Sequence, residues 1–433
     1  MPHSIYNRIL NSLSSTTSIP PTMRGHVAHC AFSLGCGGAE RQLLATIRGL
    51  SKRGFTQHVI CSSLSNNNEK HYQNEVHALG AVTIDASTQQ LSCLLARSAL
   101  RKLRFFPKKF ATGVAKYVES IAAISPEIVH IWSGNMHALT AAILLNAPNV
   151  LISWQSISPQ DRYALSRQTL LPMNIMRLAF HRMLYKIFIS SSKVRCSNNS
   201  NAGARSFEKW IGLPKYTVET LYNGIDTSVW DRQNPEYTNS MRAKYMLTPT
   251  SHTIIGAMRF ETMKRPLLWI KTAHAVIKNR KDTTAILFGD GPLRPQLEAY
   301  INAHSLGNRI LLPGIEKDMP TAMRMGDVFL LTSLYEGVPN VLLEAQASRV
   351  PVVTTNAGGA GEAIVNEITG WVCQDANITT LAERIQFCLD NTQWRERARC
   401  LAPGFIQERF GIDAMINTTL RLYGFAETAS HTA

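Results

Sequence analysis

Ser333-Leu-Tyr-Glu336-Gly337-Val-Pro339-Asn340-Val341-Leu-Leu-Glu344-Ala345 follows directly on the apolar run Val328-Phe-Leu-Leu331. A short apolar run reads as a buried strand, and a proline shortly after it suits the first turn of a helix, where a missing N–H costs nothing. The stretch therefore predicts a strand, a tight loop and a helix. Glu336 falls at the C-terminal edge of the strand, and Glu344 more than a turn into the helix. Strand, loop and helix in this order form the repeating unit of a parallel sheet with crossover helices.

The same alternation runs outward in both directions. His26-Val-Ala-His-Cys-Ala-Phe32 reads as a first strand, followed by a glycine-rich loop and a helix with Leu43, Leu44, Ile47 and Leu50 at helical spacing. Further strand-like runs begin at His58, Val82, Ile128 and Val150, and a second series at Thr253, Thr284, Ile310, Val328 and Val352. A chain of 433 residues is too long for one ordinary core and suits two. The turn-rich Leu221-Tyr-Asn-Gly-Ile-Asp226 marks the boundary. The expected organisation is a Ser/Thr/Pro-rich disordered leader over 1–23, a first domain over 24–225, a second over 226–410 and a final helix over 411–425. The fold class is α/β with two doubly wound domains.

Free N–H groups at the predicted helix start, near Asn340 and Val341, form an anion site flanked by the two carboxylates. Carboxylates there can accept hydrogen bonds from sugar hydroxyls on either side of a bound diphosphate, which points to a sugar nucleotide. The helix dipole also favours acids in a first turn whatever the function, so spacing by itself leaves both readings open. Gly35-Cys-Gly37-Gly38 after the first strand lacks the third glycine of a dinucleotide fingerprint, since position 40 is Glu. This argues against NAD but leaves a loop able to present N–H groups to an anion.

The string from Glu336 to Ala345, followed by Pro351-Val-Val-Thr-Thr and Gly358-Gly-Ala-Gly-Glu362, resembles the Glu-x7-Glu signature of retaining glycosyltransferases of family 4, with the GT-B fold. The resemblance covers about residues 24–425. It implies two Rossmann-like domains facing across a cleft, with the last helix crossing back to the first domain. It places Glu336 on the donor sugar and Glu344 on the nucleotide ribose. Gly337, Asn340 and Val341 lie in the same unit, and Gly37 and Gly38 match the family's loop beside the diphosphate. Arg259 and Lys264, in Gly256-Ala-Met-Arg259-Phe-Glu-Thr-Met-Lys264-Arg265-Pro266, match the pair that neutralises the diphosphate; here two residues are inserted before the Arg and Arg265 replaces the usual glycine. Ile315 falls in the loop that contacts the base. Phe288-Gly289-Asp290-Gly291-Pro292 and Asn223-Gly224 read as structural turns. On the acceptor side stand His130 and Gln155, the latter where many family members carry a histidine.

The chain has no Asp-x-Asp, so cationic side chains and a helix N-terminus are expected to stabilise the leaving diphosphate without a metal or other cofactor. The resemblance implies a retaining hexosyl- or N-acetylhexosaminyl-transferase, UDP on family frequency, and a glycan acceptor in surface polysaccharide or lipopolysaccharide assembly. A GT-B epimerase and a non-catalytic sugar-nucleotide- or glycan-binding subunit are the competing readings.

The net charge of +15 is uneven: residues 1–226 hold 24 Lys+Arg against 10 Asp+Glu, leaving +1 for the remainder. Arg97, Arg101, Lys102, Arg104, Lys108, Lys109 and Lys116 interleave with Leu100, Leu103, Phe105, Phe106 and Phe110, with no acid between Asp85 and Glu119. A second acid-free window runs from Asp161 to Glu208. Basic residues beside aromatics suit an anionic membrane surface and a lipid-linked acceptor; ordinary helices with solvated basic faces would look the same. No nucleic-acid-binding motif accompanies the charge. The eight scattered cysteines show no metal spacing, and no apolar run is long enough to span a membrane. The expected location is cytoplasmic, peripheral on the inner face of the membrane.

Overall fold

The computed structural model describes residues 25–166, 172–191, 194–232 and 234–425. The leader expected over 1–23 lies outside the described residues, as do Arg167 and Lys193 of the second basic window.

Seven strands form the first sheet: β1 (His26–Ala31), β2 (Thr56–Cys61), β3 (Val82–Asp85), β4 (Ile128–Trp132), β5 (Asn149–Trp154), β6 (Val194–Asn198) and β7 (Val218–Thr220). They lie parallel in the order β3-β2-β1-β4-β5-β6-β7. Every residue of β1 and β4 is buried, as expected where helices cover both faces of a parallel sheet. Helix α1 (Gly38–Ser51) buries the predicted Leu43, Leu44, Ile47 and Leu50. Helices α2 (Leu94–Lys102), α3 (Lys108–Ile124) and α4 (Met136–Leu144) complete the part of this unit used below.

The second sheet has β8 (His252–Ala257), β9 (Thr283–Phe288), β10 (Ile310–Gly314), β11 (Val328–Leu331), β12 (Val352–Thr355) and β13 (Gly370–Cys373), parallel in the order β10-β9-β8-β11-β12-β13. Helix α5 (Pro266–Asn279) follows β8, and helix α6 (Asn340–Ala347) follows β11. Pro339 stands at the N-cap, one residue before the helix.

The strand runs read from sequence are all present, but β6, β7 and β13 escape that reading. Val194-Arg-Cys-Ser-Asn198 has almost no apolar run, yet Ser197 and Asn198 are fully buried. Pairing to β5 and β7, rather than hydrophobic pattern, makes it a strand.

The described residues divide into two compact units: 25–159, 172–191, 194–224 and 412–425 in one, and 160–166, 225–232 and 234–411 in the other. The closing helix α7 (Ile412–Tyr423) therefore belongs to the first unit. It packs on α1 at Gly49, where a Cβ would stand 2.4 Å from Ile416, so only a missing side chain lets the helices meet. Met415, Ile416, Leu422 and Tyr423 share a core with Val27, Leu50, Ile128 and Leu151, and Arg53 pairs with Asp413 at 3.0 Å.

Candidate active site

In a doubly wound sheet, ligands bind beyond the carboxyl ends of the strands where the strand order reverses. In the second unit that point lies between β8 and β11. The loop after β8 carries Arg259, Lys264 and Arg265; the loop after β11 carries Thr332, Ser333 and Glu336. Main-chain bonds join these loops to one another and to their neighbours. Leu334 N donates to Met263 O (2.8 Å), Phe260 N to Asp290 O (2.8 Å) and Gly289 N to Gly314 O (2.8 Å). Glu336 N donates to Ala357 O (3.1 Å), and Gly359 N to Glu336 O (3.2 Å). Gly289 has a positive φ of 123°, and a Cβ there would lie 1.9 Å from Met258 O. That position accepts no side chain.

Lys264 Nζ is hydrogen-bonded to Glu336 Oε1, which also accepts from Ser333 Oγ at 2.6 Å. Glu336 is buried, and a buried carboxylate without a partner would be strongly destabilising. The Lys264 ammonium and the Ser333 hydroxyl supply those partners. The arrangement offers a fixed cation beside a hydrogen-bond acceptor, the combination needed to hold a phosphate and a sugar hydroxyl next to each other.

Arg265 explains the departure from glycine noted in the sequence. It sits in the left-handed region (φ 49°, ψ 53°), a conformation that costs a non-glycine residue about 1–2 kcal/mol. Its guanidinium offsets this by donating from Nε to Thr332 O (2.6 Å) and from Nη2 to Ser333 O (2.6 Å) and Thr355 Oγ1 (3.2 Å). Thr332 Oγ1 returns the contact by donating to Lys264 O and Arg265 O, both at 3.1 Å. Arg265 thus clamps the backbone that carries Ser333 toward Glu336. Sequence reading had no role for it beyond the mismatch.

The remaining predicted residues of this unit spread over several loop ends. Asn340 begins α6, Val341 follows it, and Gly337 is buried in the turn before; Glu344 is buried on the helix. Arg259 is exposed and pairs with Glu261 at 3.1 Å instead of joining Lys264 at Glu336. Ile315 is exposed just beyond β10.

In the first unit, Gly37 caps α1 without a side-chain bond and Gly38 opens the helix. The Glu40 carboxylate lies where a Cβ on Gly37 would stand, so an acid faces this glycine loop. Gln155 is half-buried directly after β5. His130 corrects an expectation. It is not at an open strand end but in the middle of β4, fully buried, with Nδ1 bonded to Tyr423 Oη (2.8 Å) and Nε2 to Ser153 Oγ (2.7 Å). Burial holds its pKa well below the usual range, so it stays neutral. It ties α7 to the sheet and has no surface for an acceptor.

Two parallel doubly wound units of this kind constitute the GT-B architecture. Residues 36–229 match the family described as Glycosyltransferase Family 4, and residues 238–402 the one described as Glycosyl transferases group 1. Over 430 residues, 93% of this chain and 72% of the relative, the sequence is 26% identical to the Vi polysaccharide biosynthesis protein VipC/TviE of Salmonella typhi. It is 24% identical, over 89% of this chain and 96% of the relative, to the N-acetylgalactosamine-N,N'-diacetylbacillosaminyl-diphospho-undecaprenol 4-alpha-N-acetylgalactosaminyltransferase of Campylobacter jejuni. The structure of Anabaena HepE in complex with UDP and glucose superposes with a TM-score of 0.74 at 19% identity, covering 92% of this chain and 99% of that one. The chain belongs to the GT-B glycosyltransferases of family 4.

Proposed function

We propose that this chain transfers a sugar from a nucleotide diphosphate, with UDP the first choice, to a lipid-linked glycan in surface polysaccharide or lipopolysaccharide assembly, retaining the anomeric configuration and requiring no metal. The observation that carries this reading is the Lys264–Glu336–Ser333 cluster at the switch point of the second sheet. Lys264, with Arg259, holds the diphosphate and offsets the charge that develops as it leaves. Glu336 accepts from a hydroxyl of the donor sugar, Glu344 from the ribose, and the N–H groups at Asn340 and Val341 face phosphate oxygen. The bond from the anomeric carbon to the diphosphate breaks as the bond to the acceptor oxygen forms on the same face. The acceptor's proton passes to the departing phosphate, so no protein base is consumed.

Relatives named for polysaccharide biosynthesis and for a diphospho-undecaprenol substrate support the acceptor class. Membrane contact draws support from the first unit. Phe105 and Leu94 are exposed beside Arg97, Arg101 and Arg104, whereas Leu103 is buried and Phe106 and Phe110 pack against the core. Exposed apolar side chains among cations suit the inner face of an anionic bilayer. No helix among the described residues is long and apolar enough to cross a membrane.

Thermal unfolding with UDP or GDP, each with EDTA or magnesium, tests the donor site. Saturation at about a hundredfold the Kd adds about 2.7 kcal/mol, a rise of several degrees. A rise with one nucleotide that survives EDTA is expected, and no rise with either nucleotide rejects the reading. The anomeric configuration of the product, read by NMR, tests retention.

A further inference from the structure

The first unit contains a pocket of about 640 Å³ that the donor site does not use, within the size range of small-ligand sites. One wall is a face of α3 carrying Lys108, Lys109 and Lys116. Ser62 after β2, Ser87 after β3 and His137 in α4 close the other sides. No carboxylate of the described residues lines it. The nearby acids are held by other groups: Asp85 accepts from Leu64 N and Ser87 N, and Glu119 from Ser92 Oγ and Cys93 N.

Lys116 Nζ donates to Ser87 O and so ties α3 to the segment after β3, but folding stability does not account for the other two lysines of this wall. Lys108 and Lys109 occupy the first turn of α3, which has no acid, although the helix dipole disfavours cations there. Gly113 stands inside the same helix at a cost of about 1 kcal/mol relative to Ala. A Cβ at Gly113 would come within 3.0 Å of the His137 ring, so glycine lets that ring lie against the helix. The ring is also held by Phe110, 5.2 Å away between centroids. The floor is rigid. Tyr117 Oη donates to Ala31 O (3.0 Å) and accepts from Asn135 Nδ2 (2.8 Å), which also donates to Ser62 Oγ (3.0 Å).

We propose that this pocket binds a phosphate or diphosphate ester, as the anionic portion of the acceptor. Its cations are all lysines, compact point charges suited to phosphate oxygens, and none is an arginine fork of the kind that matches a planar carboxylate. The acceptor role rests on the transferase reading; anion binding by the pocket does not.

The test uses the full chain saturated with UDP, so that the donor diphosphate site is filled, and titrates pyrophosphate, farnesyl diphosphate and glucuronate calorimetrically at low and high salt. Both diphosphates should bind at one site and weaken with salt. The variant Lys108→Ala/Lys109→Ala/Lys116→Ala should lose about tenfold or more in affinity while its UDP-induced rise in Tm is unchanged. If that variant does not fold, Lys108→Gln and Lys109→Gln, both at exposed positions, give the same comparison. Absence of diphosphate binding, unchanged binding in the variants, or equal binding of glucuronate overturns the proposal. If UDP gives no rise in Tm but the variants still lose pyrophosphate, the donor reading falls and the anion pocket stands.

Discussion

Main-chain hydrogen bonds tie the carboxyl ends of both sheets, and the two units differ in the side chains added to them. In the second, the loops after β8, β9, β10, β11 and β12 are joined by main-chain hydrogen bonds and by the Arg265 clamp. In the first, main-chain bonds also join the ends of β1 and β2, Ser62 N to Ala31 O (3.1 Å) and Ser63 N to Phe32 O (3.3 Å), but the junction of β1, β2 and β4 adds a cluster of side chains, with Tyr117, Asn135 and Ser62 at the centre. Main-chain bonds specify geometry whatever the side chains are, so a site built on them tolerates sequence change around it. A junction of side chains can be reshaped by substitution.

The largest effect expected from breaking this contrast is at Glu336. Glu336→Gln keeps the size but weakens the pairing with Lys264, and transfer should fall about a hundredfold to a thousandfold in kcat, measured with the nucleotide sugar identified by the unfolding assay. Undiminished transfer would remove Glu336 from the site. Gly289→Ala attacks the main-chain scaffold itself. The new Cβ collides with the Met258 carbonyl, and denaturant unfolding should show a loss of about 3 kcal/mol.

Acid should act on the first unit before the second. His29 is buried, its pKa lowered to about 4 by desolvation, and Trp132 Nε1 donates to its Nδ1 while its Nε2 meets Gln57 Oε1. His130 is lowered by the same cause. Both are neutral when folded, whereas the unfolded chain takes up protons near pH 6.5. The stability they protect is therefore complete above that pH and is lost as pH falls from about 6.5 toward 4, by up to about 1.4 kcal/mol per unit for each histidine. Amide exchange resolved by unit should show the first opening earlier in acid, and His130→Gln should flatten the slope.

The smallest and most discriminating effect lies at Arg265. Arg265→Ala loses the clamp and keeps the left-handed strain, a loss of about 2 kcal/mol, while Arg265→Gly relieves about 1 kcal/mol of it. The glycine variant should melt higher than the alanine variant yet show the same reduced UDP affinity. Equal Tm values would mean the backbone strain is not real.

The site was legible where chemistry and local order coincide. Glu336, Asn340 and Glu344 could be placed on one unit because a strand, a turn and a helix start follow one another in sequence, and the roles proposed for them and for Lys264 come from the resemblance. Arg265 registered only as a mismatch, since its function depends on carbonyls 67 and 68 residues away. His130 was misassigned because sequence shows a polar residue near a strand end but not the helix that covers it. Strand β6 was missed because its burial comes from its neighbours in the sheet.

Sequence alone therefore determined the alternation of strands and helices, the doubly wound class and the strand–loop–helix unit that carries Glu336 and Glu344, because these depend on periodicity and on residues adjacent in the chain. Tertiary structure alone decided which cations meet which carboxylates, that α7 seals His130 into the first unit, and that Lys108, Lys109 and Lys116 face a pocket lined also by residues that follow β2 and β3 and by α4. Those outcomes depend on contacts between segments far apart in the chain, and local pattern carries no information about them.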